Sequence, residues 1–186
     1  EFLRVDGKTT LDIGGLPKGD ISRAIFGAAY ELELPEGGVG EIALMEGGER
    51  VGLRHFIAIS GMSLPLDKLD YVDDTFLIGV SNFVGVKNTI LLFKTRSFTD
   101  IFPAMRDWEK KMFSDLHGLF GASVFPESQI FNRSFEDEII LNKNARVLRD
   151  DLGNVALFYA YADSETVIIS TSPEILSGII ARLGAR

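Results

Sequence analysis

Two stretches of the chain are built in the same order, and that order limits the folds open to it. In the first, TFLIGV (75–80) leads through SNFVGVK into NTILLF (88–93), and the amphipathic segment SFTDIF follows. In the second, NVALFYAY leads through Asp163–Ser164 into TVIIS (166–170), and SPEILSGIIARL follows. Each is a strand, a tight turn, a second strand and a helix. A further hairpin is expected in EIILNKNARVLRDDLGNVALFYAY, turning near Leu152–Gly153. Strand-rich stretches joined mainly by hairpins, with helices between them, predict an α+β protein whose antiparallel sheet carries helices packed on one face. A ferredoxin-like arrangement, with the strand–strand–helix unit duplicated, is the expected version.

Residues 53–186 form the expected α+β domain, and 1–52 a strand, helix and hairpin segment belonging to it. FLRVD (2–6) is read as a strand, and GDISRAIFGAAYELEL as a helix capped by Asp20, with Ile21, Ala24, Ile25 and Ala28 inward. EIALMEGGERVGLRHFIAIS is read as a hairpin turning at Gly47–Gly48, which makes HFIAIS a strand. Ser63 is expected to cap a helix with Leu64, Leu66 and Leu69 on its apolar side. Thr171 and Glu174 are expected to form a capping box with Pro173 in the first turn, and Ile175, Leu176, Ile179, Ile180 and Leu183 the buried face.

The long helix after NTILLF carries the single tryptophan. Phe98, Ile101, Phe102, Met105, Trp108, Met112, Phe113 and Leu116 advance in steps of three and four, so Trp108 is expected in the core. Glu109 is expected on the opposite, polar side with Arg106, Asp107, Lys110 and Lys111. Pro103 suits a helix that begins at Asp100 or bends there, and disfavours a straight one from Phe98.

The chain holds 27 acidic and 19 basic residues, a net charge of −8. Nucleic acid and anionic membrane surfaces both require exposed cations, so this balance argues against either as partner. The sequence has no cysteine, which removes disulfides, thiolate metal sites and cysteine nucleophiles. No apolar run approaches the roughly 20 residues that span a bilayer. The chain opens on Glu1–Phe2, so a longer product is expected, with any signal or anchor upstream.

Motifs for chemistry are sparse. The two histidines, His55 and His117, have no metal-binding spacing to each other or to acids. Ser60 follows an apolar run, but G-x-S-x-G is absent, and helix-capping turns account for Ser60 and Ser63. GGVG (37–40) lacks the phosphate-loop pattern. The acids Asp67, Asp70, Asp73 and Asp74, and again Glu136, Asp137 and Glu138, lack calcium-loop spacing and are read as a solvated face. DDLGN (150–154) is a turn, and Asn132–Arg133–Ser134 matches a glycosylation sequon. No residue is therefore assigned as catalytic, cofactor-binding or metal-ligating, and no cofactor is expected.

One resemblance adds to this reading. Gly79 after an apolar strand, LLFKTRSF, the helix with Trp108–Glu109, Met112 and Asp115–Leu116, and VALFYAYADSETVIISTSPEIL occur in that order. This pattern, over residues 53 to 183, resembles a group of uncharacterised bacterial membrane-anchored proteins with a soluble extracytoplasmic α+β domain. Pro103 departs from the small residue expected there. The resemblance implies a place in the cell envelope, held by an anchor outside this sequence, and transfers no catalytic residue. The leading expectation is a non-enzymatic domain that binds a protein partner or copies of itself. Two alternatives stand beside it: a hydrolase using carboxylates with His55 or His117, and a small-ligand regulatory module. Cytoplasmic residence is the alternative for location.

Overall fold

A computed structural model of the chain describes residues 2–65 and 70–184. Among these residues nine strands form one open sheet: β1 (Gly7–Asp12), β2 (Val39–Glu46), β3 (Glu49–Arg50), β4 (Val72–Phe83), β5 (Val86–Thr95), β6 (Glu136–Ile140), β7 (Lys143–Arg149), β8 (Val155–Tyr161) and β9 (Thr166–Ser170). Their order is β1-β2-β4-β5-β9-β8-β7-β6, with β3 paired to β2. Every pairing is antiparallel except β1–β2. The first fifty residues thus belong to the same sheet as the rest. Among the described residues four helices complete the fold: α1 (Lys18–Glu31), α2 (Leu53–Ser60), α3 (Phe98–Leu116) and α4 (Leu176–Gly184). The α+β architecture is as the sequence predicts. Ferredoxin-like and duplicated versions are finer than this strand order carries.

The helices do not share one face. Ile21 and Ile25 of α1, Phe56 and Ile57 of α2, and Met105, Trp108 and Met112 of α3 pack with Ile42, Ile78, Leu91 and Ile169 on one side. Leu176 and Ile179 of α4 pack with Phe2, Leu3, Leu77, Ile90 and Ile168 on the other. The central strands explain why: β9 is buried at every position, and β5, β7 and β8 carry continuous buried runs. Such strands are apolar on both faces and need cover on both. Burial of each Ile or Leu contributes about 1.5–3 kcal/mol, so leaving the α4 face bare would be costly.

Several local expectations shift. The strand near the N-terminus is β1, not FLRVD; Phe2 and Leu3 instead lie buried under the α4 side. The turn at Gly47–Gly48 forms, but β3 has only two residues and HFIAIS belongs to α2. Gly52 precedes that helix, and Gly61, with φ 63°, ends it in the left-handed conformation. The carboxylate of Asp74 accepts the Arg54 N–H at 2.8 Å, and Leu53, Phe56 and Ile57 face inward. The apolar run thus obeys a helical period that its short length concealed. Asp20 sits inside the first turn of α1, paired with Arg23 at 2.8 Å, with Pro17 at the cap position. Thr171 makes no capping box. Ser172 flanks a 3-10 turn at Pro173–Ile175, and its hydroxyl donates to Glu174 at 2.6 Å. Helix α3 starts at Phe98 and continues through Pro103. Pro103 is the sixth residue of the helix, and the acceptor its missing N–H leaves without that bond is the carbonyl of Thr99, an exposed residue of the first turn. Leu66, Asp67 and Leu69 lie outside the described residues.

Candidate functional site

The transverse register sets up the site. One row crosses the sheet as Thr9, Ile42, Ile78, Leu91, Ile169, Tyr159, Arg146 and Asp137. It is apolar through the middle, where α1 to α3 cover it, and turns polar over its last three strands. Helix α3 reaches this polar end with Glu109. Four residues separate Glu109 from Met105, an angular offset of only about 40° on a helix. Glu109 therefore lies on the inward stripe, against expectation, with its side chain only 11 % exposed.

Burying this carboxylate requires partners, and the sheet supplies them. Arg146 donates from Nε to Oε1 at 2.8 Å and from Nη2 to Oε2 at 2.9 Å, a bidentate pair. Its Nη2 also donates to the Phe135 carbonyl at 2.8 Å, and its Nη1 meets Asp137 at 2.9 Å. The Tyr159 hydroxyl donates to Glu109 Oε1 at 2.7 Å. The carboxylate partners hold the guanidinium firmly charged, against the opposing effect of burial. Burial, and then the Glu109 carboxylate, pushes the Tyr159 phenol above its ordinary range; burial likewise raises Tyr161. Both phenols are therefore neutral at neutral pH, and that of Tyr159 serves as a donor.

Beside this network the sheet ends at β6. A two-residue turn, Leu141–Asn142, joins β6 to β7, both residues having positive φ (51° and 59°). In such a hairpin the flanking pair Ile140–Lys143 exchanges hydrogen bonds, and alternation leaves Asp137 and Ile139 with N–H and C=O pointing away from β7. These groups form a short template for another strand. The template is flanked on both faces. On the α3 side lies a hollow of about 500 Å³ lined by Phe102, Ile139, Asn144, Arg146 and Tyr161 among others. On the α4 side a shallower groove of about 410 Å³ runs past Ile140, Leu141, Pro173, Glu174 and Ser177. Ile139 and Leu141 stand 71 % and 54 % exposed.

The residues weighed from sequence are scattered. His55 of α2 meets Glu46 of β2 at 2.5 Å, with both side chains about half exposed. His117 ends α3 among the rings of Phe113 and Phe131, its Nδ1 3.3 Å from the Ala122 carbonyl. Ser60 is the last residue of α2, and the Ser63 N–H donates to Asp115 at 2.6 Å. Asp73 and Asp70 pair with Arg96 and Arg54. Glu136, Asp137 and Glu138 lie not on a helical face but along β6, where Glu138 binds Arg149 at 2.7 Å. Asp150 closes the β7–β8 turn by accepting the N–H groups of Leu152 and Asn154, both at 2.9 Å. Asn132 is exposed at the end of a 3-10 turn. Among the described residues no cluster of three acids or histidines is arranged for a metal, and no helix is long and apolar enough to cross a membrane.

Trp108 is core, as expected, and its indole N–H donates to Asp115 at 2.7 Å. Sequence reasoning missed Glu109 and Arg146. The spacing Met105, Glu109, Met112, Leu116 (four, three, four) already placed the glutamate on the buried stripe. Of the three cations of β7, Lys143, Arg146 and Arg149, Arg146 is the one inside its buried run. No family model, curated protein or solved structure matches the chain.

Proposed function

We propose that this chain is a non-enzymatic protein-binding domain that receives its partner on the free edge of β6. The observation that carries the reading is the coincidence, on one five-residue strand and the turn that follows it, of outward backbone groups, two exposed aliphatic side chains (Ile139 and Leu141) and a hollow on either face. Strand addition uses these three features together: main-chain bonds give affinity, and pockets on alternate faces give selectivity. The nearest ionisable cluster favours scaffolding over chemistry. Glu109 accepts from Arg146 and Tyr159, and Arg146 is held by Glu109, Asp137 and the Phe135 carbonyl. The hydrolase alternative finds less support, since His55 meets its acid on open surface and His117 sits among aromatic rings. The cell-envelope setting, with an anchor outside this sequence, is part of the proposal and rests on the resemblance alone.

A peptide-display selection against the immobilised chain tests the reading. The Ile139 N–H points outward, so Ile139→Pro removes a docking group without removing a bond of the β6–β7 ladder. Enriched peptides that bind the parent chain and not the Ile139→Pro variant support strand addition. No enrichment, or binding indifferent to the variant, contradicts it. A small-ligand module is the second reading, favoured by the hollow beside Phe102 and Tyr161, whose volume lies within the usual range for ligand sites. A thermal-shift screen tests it, since ligand at a hundred times Kd adds about 2.7 kcal/mol.

A further inference from the structure

The chemistry of the β6 edge narrows the partner, an inference that rests on the protein-binding reading above. Three consecutive acids, Glu136, Asp137 and Glu138, precede the aliphatic Ile139, Ile140 and Leu141. Strand alternation sends Glu136 and Glu138 to the α4 face and Asp137 to the α3 face, so an incoming strand meets a carboxylate on either side. Asp137 stands clear of its main cation: its side chain is 86 % exposed above an Arg146 that is 7 % exposed, with Arg106, 43 % exposed, 4.0 Å away. Glu138 and its partner Arg149 are equally exposed, 38 % and 37 %. Glu136 is exposed as well, so this half of the strand presents carboxylates to an incoming strand, and the other half is apolar.

Pairing with a second copy through the same edge is disfavoured by the same sequence. An antiparallel β6–β6 pair centred on Glu138 sets that carboxylate opposite its own copy and Asp137 opposite Ile139. Directly opposed like charges destabilise a strand pair, and an acid against an aliphatic wastes both contacts.

The turn supplies a separate observation. Leu141 occupies a left-handed conformation (φ 51°) in which a branched aliphatic is strained and Asn or Gly is usual. Its half-exposed side chain is part of the lining of the α4-side groove. Strain of this kind persists where the surroundings or a function maintain it.

We infer that the partner is an extended cationic segment in which a short basic run adjoins a short apolar run. It lies along β6 with the basic residues against Glu136 to Glu138 and the apolar ones against Ile139 and Leu141. The probe is the labelled peptide Ser-Val-Val-Lys-Lys-Lys-Ser and its reversed order, with Glu in place of Lys as comparison, read by fluorescence anisotropy on the whole chain. One of the two basic peptides should bind at least about tenfold tighter than either acidic one. Ile139→Pro and, separately, Glu136→Lys should each weaken it by about tenfold. Equal binding of the acidic peptides overturns the inference. So does basic binding that Ile139→Pro leaves unchanged, which marks diffuse attraction to a chain of net charge −8. A dimer dissolved by Ile139→Pro assigns the edge to a second copy and overturns it as well. Display peptides that need Ile139 but lack basic residues overturn this inference and leave the edge reading standing; a selection that enriches nothing removes both.

Discussion

Glu109 and Arg146 meet through two parallel hydrogen bonds, at 2.8 and 2.9 Å, across the boundary between α3 and β7. Their side chains are 11 % and 7 % exposed. With the Tyr159 hydroxyl, which also donates to Glu109, this pair ties the middle of α3 to β7 and β8.

Removing Glu109 takes away the bidentate partner of a buried guanidinium and leaves it only Asp137 and the Phe135 carbonyl. Glu109→Ala should therefore lower stability by about 3–5 kcal/mol, whereas Glu109→Leu combined with Arg146→Met should cost far less. Urea denaturation of the three chains checks this. Equal losses in the single and double variants would show that packing, not charge, is at stake.

Asp115 binds two parts of the fold at once. It accepts the Trp108 indole N–H at 2.7 Å and the Ser63 backbone N–H at 2.6 Å. Asp115→Ala should cost about 1–3 kcal/mol, because it strands a donor that is otherwise buried. Trp108→Phe should cost more than its lost area, and adding it to Asp115→Ala should cost less than the sum of the two. A double-mutant cycle measures the coupling.

Two hairpins place apolar residues in left-handed turns: Leu141, and Val84 with φ 51°. Glu36 holds the second turn, accepting the N–H groups of Val84 at 2.5 Å and Gly85 at 3.0 Å. Val84 is 72 % exposed, so little packing is lost on replacement. Val84→Asn and Leu141→Asn should each raise stability by about 1 kcal/mol, since asparagine tolerates this conformation. Only Leu141→Asn should also weaken binding of the basic peptide. Thermal melts and anisotropy on the same two chains separate strain relief from a docking role.

At the opposite end of the sheet Glu41 is buried between Lys8, 3.1 Å away, and Arg50. Burial works to raise its pKa, but the Arg50 and Lys8 contacts prevail and hold it below the ordinary glutamate range. A carboxyl depressed in the folded state stabilises the fold above its unfolded pKa, and that stability is lost as pH falls through the folded value. Urea midpoints should thus fall on acidification below the ordinary glutamate range. Glu41→Gln should give a shallower acid limb; an unchanged limb would place the effect elsewhere.

Much of this fold could be read from sequence, and the misses share a cause. TFLIGV and NTILLF, and again NVALFYAY and TVIIS, form the expected hairpins, because Val84–Gly85 and Asp163–Ser164 are turn sequences between apolar runs. HFIAIS was misread because six residues fit either period until Asp74, distant in sequence, supplies a cap. Placing all helices on one face overlooked that VALFYAY and TVIIS are apolar without alternation. The site was less legible still. Glu109 and Arg146 are ordinary surface residue types, and only the row Tyr159–Arg146–Asp137, set by strand order, brings them together beneath a free edge.

Backbone amide hydrogen exchange at Asp137 and Ile139, with and without the tightest-binding peptide, tests strand addition most directly. Docking along β6 predicts fast exchange at both amides in the free chain and strong protection in the complex, while the remaining amides of the sheet are little changed. Exchange at Asp137 and Ile139 that stays fast in a saturated complex would mean the partner sits elsewhere, and the edge would be only the border of the sheet.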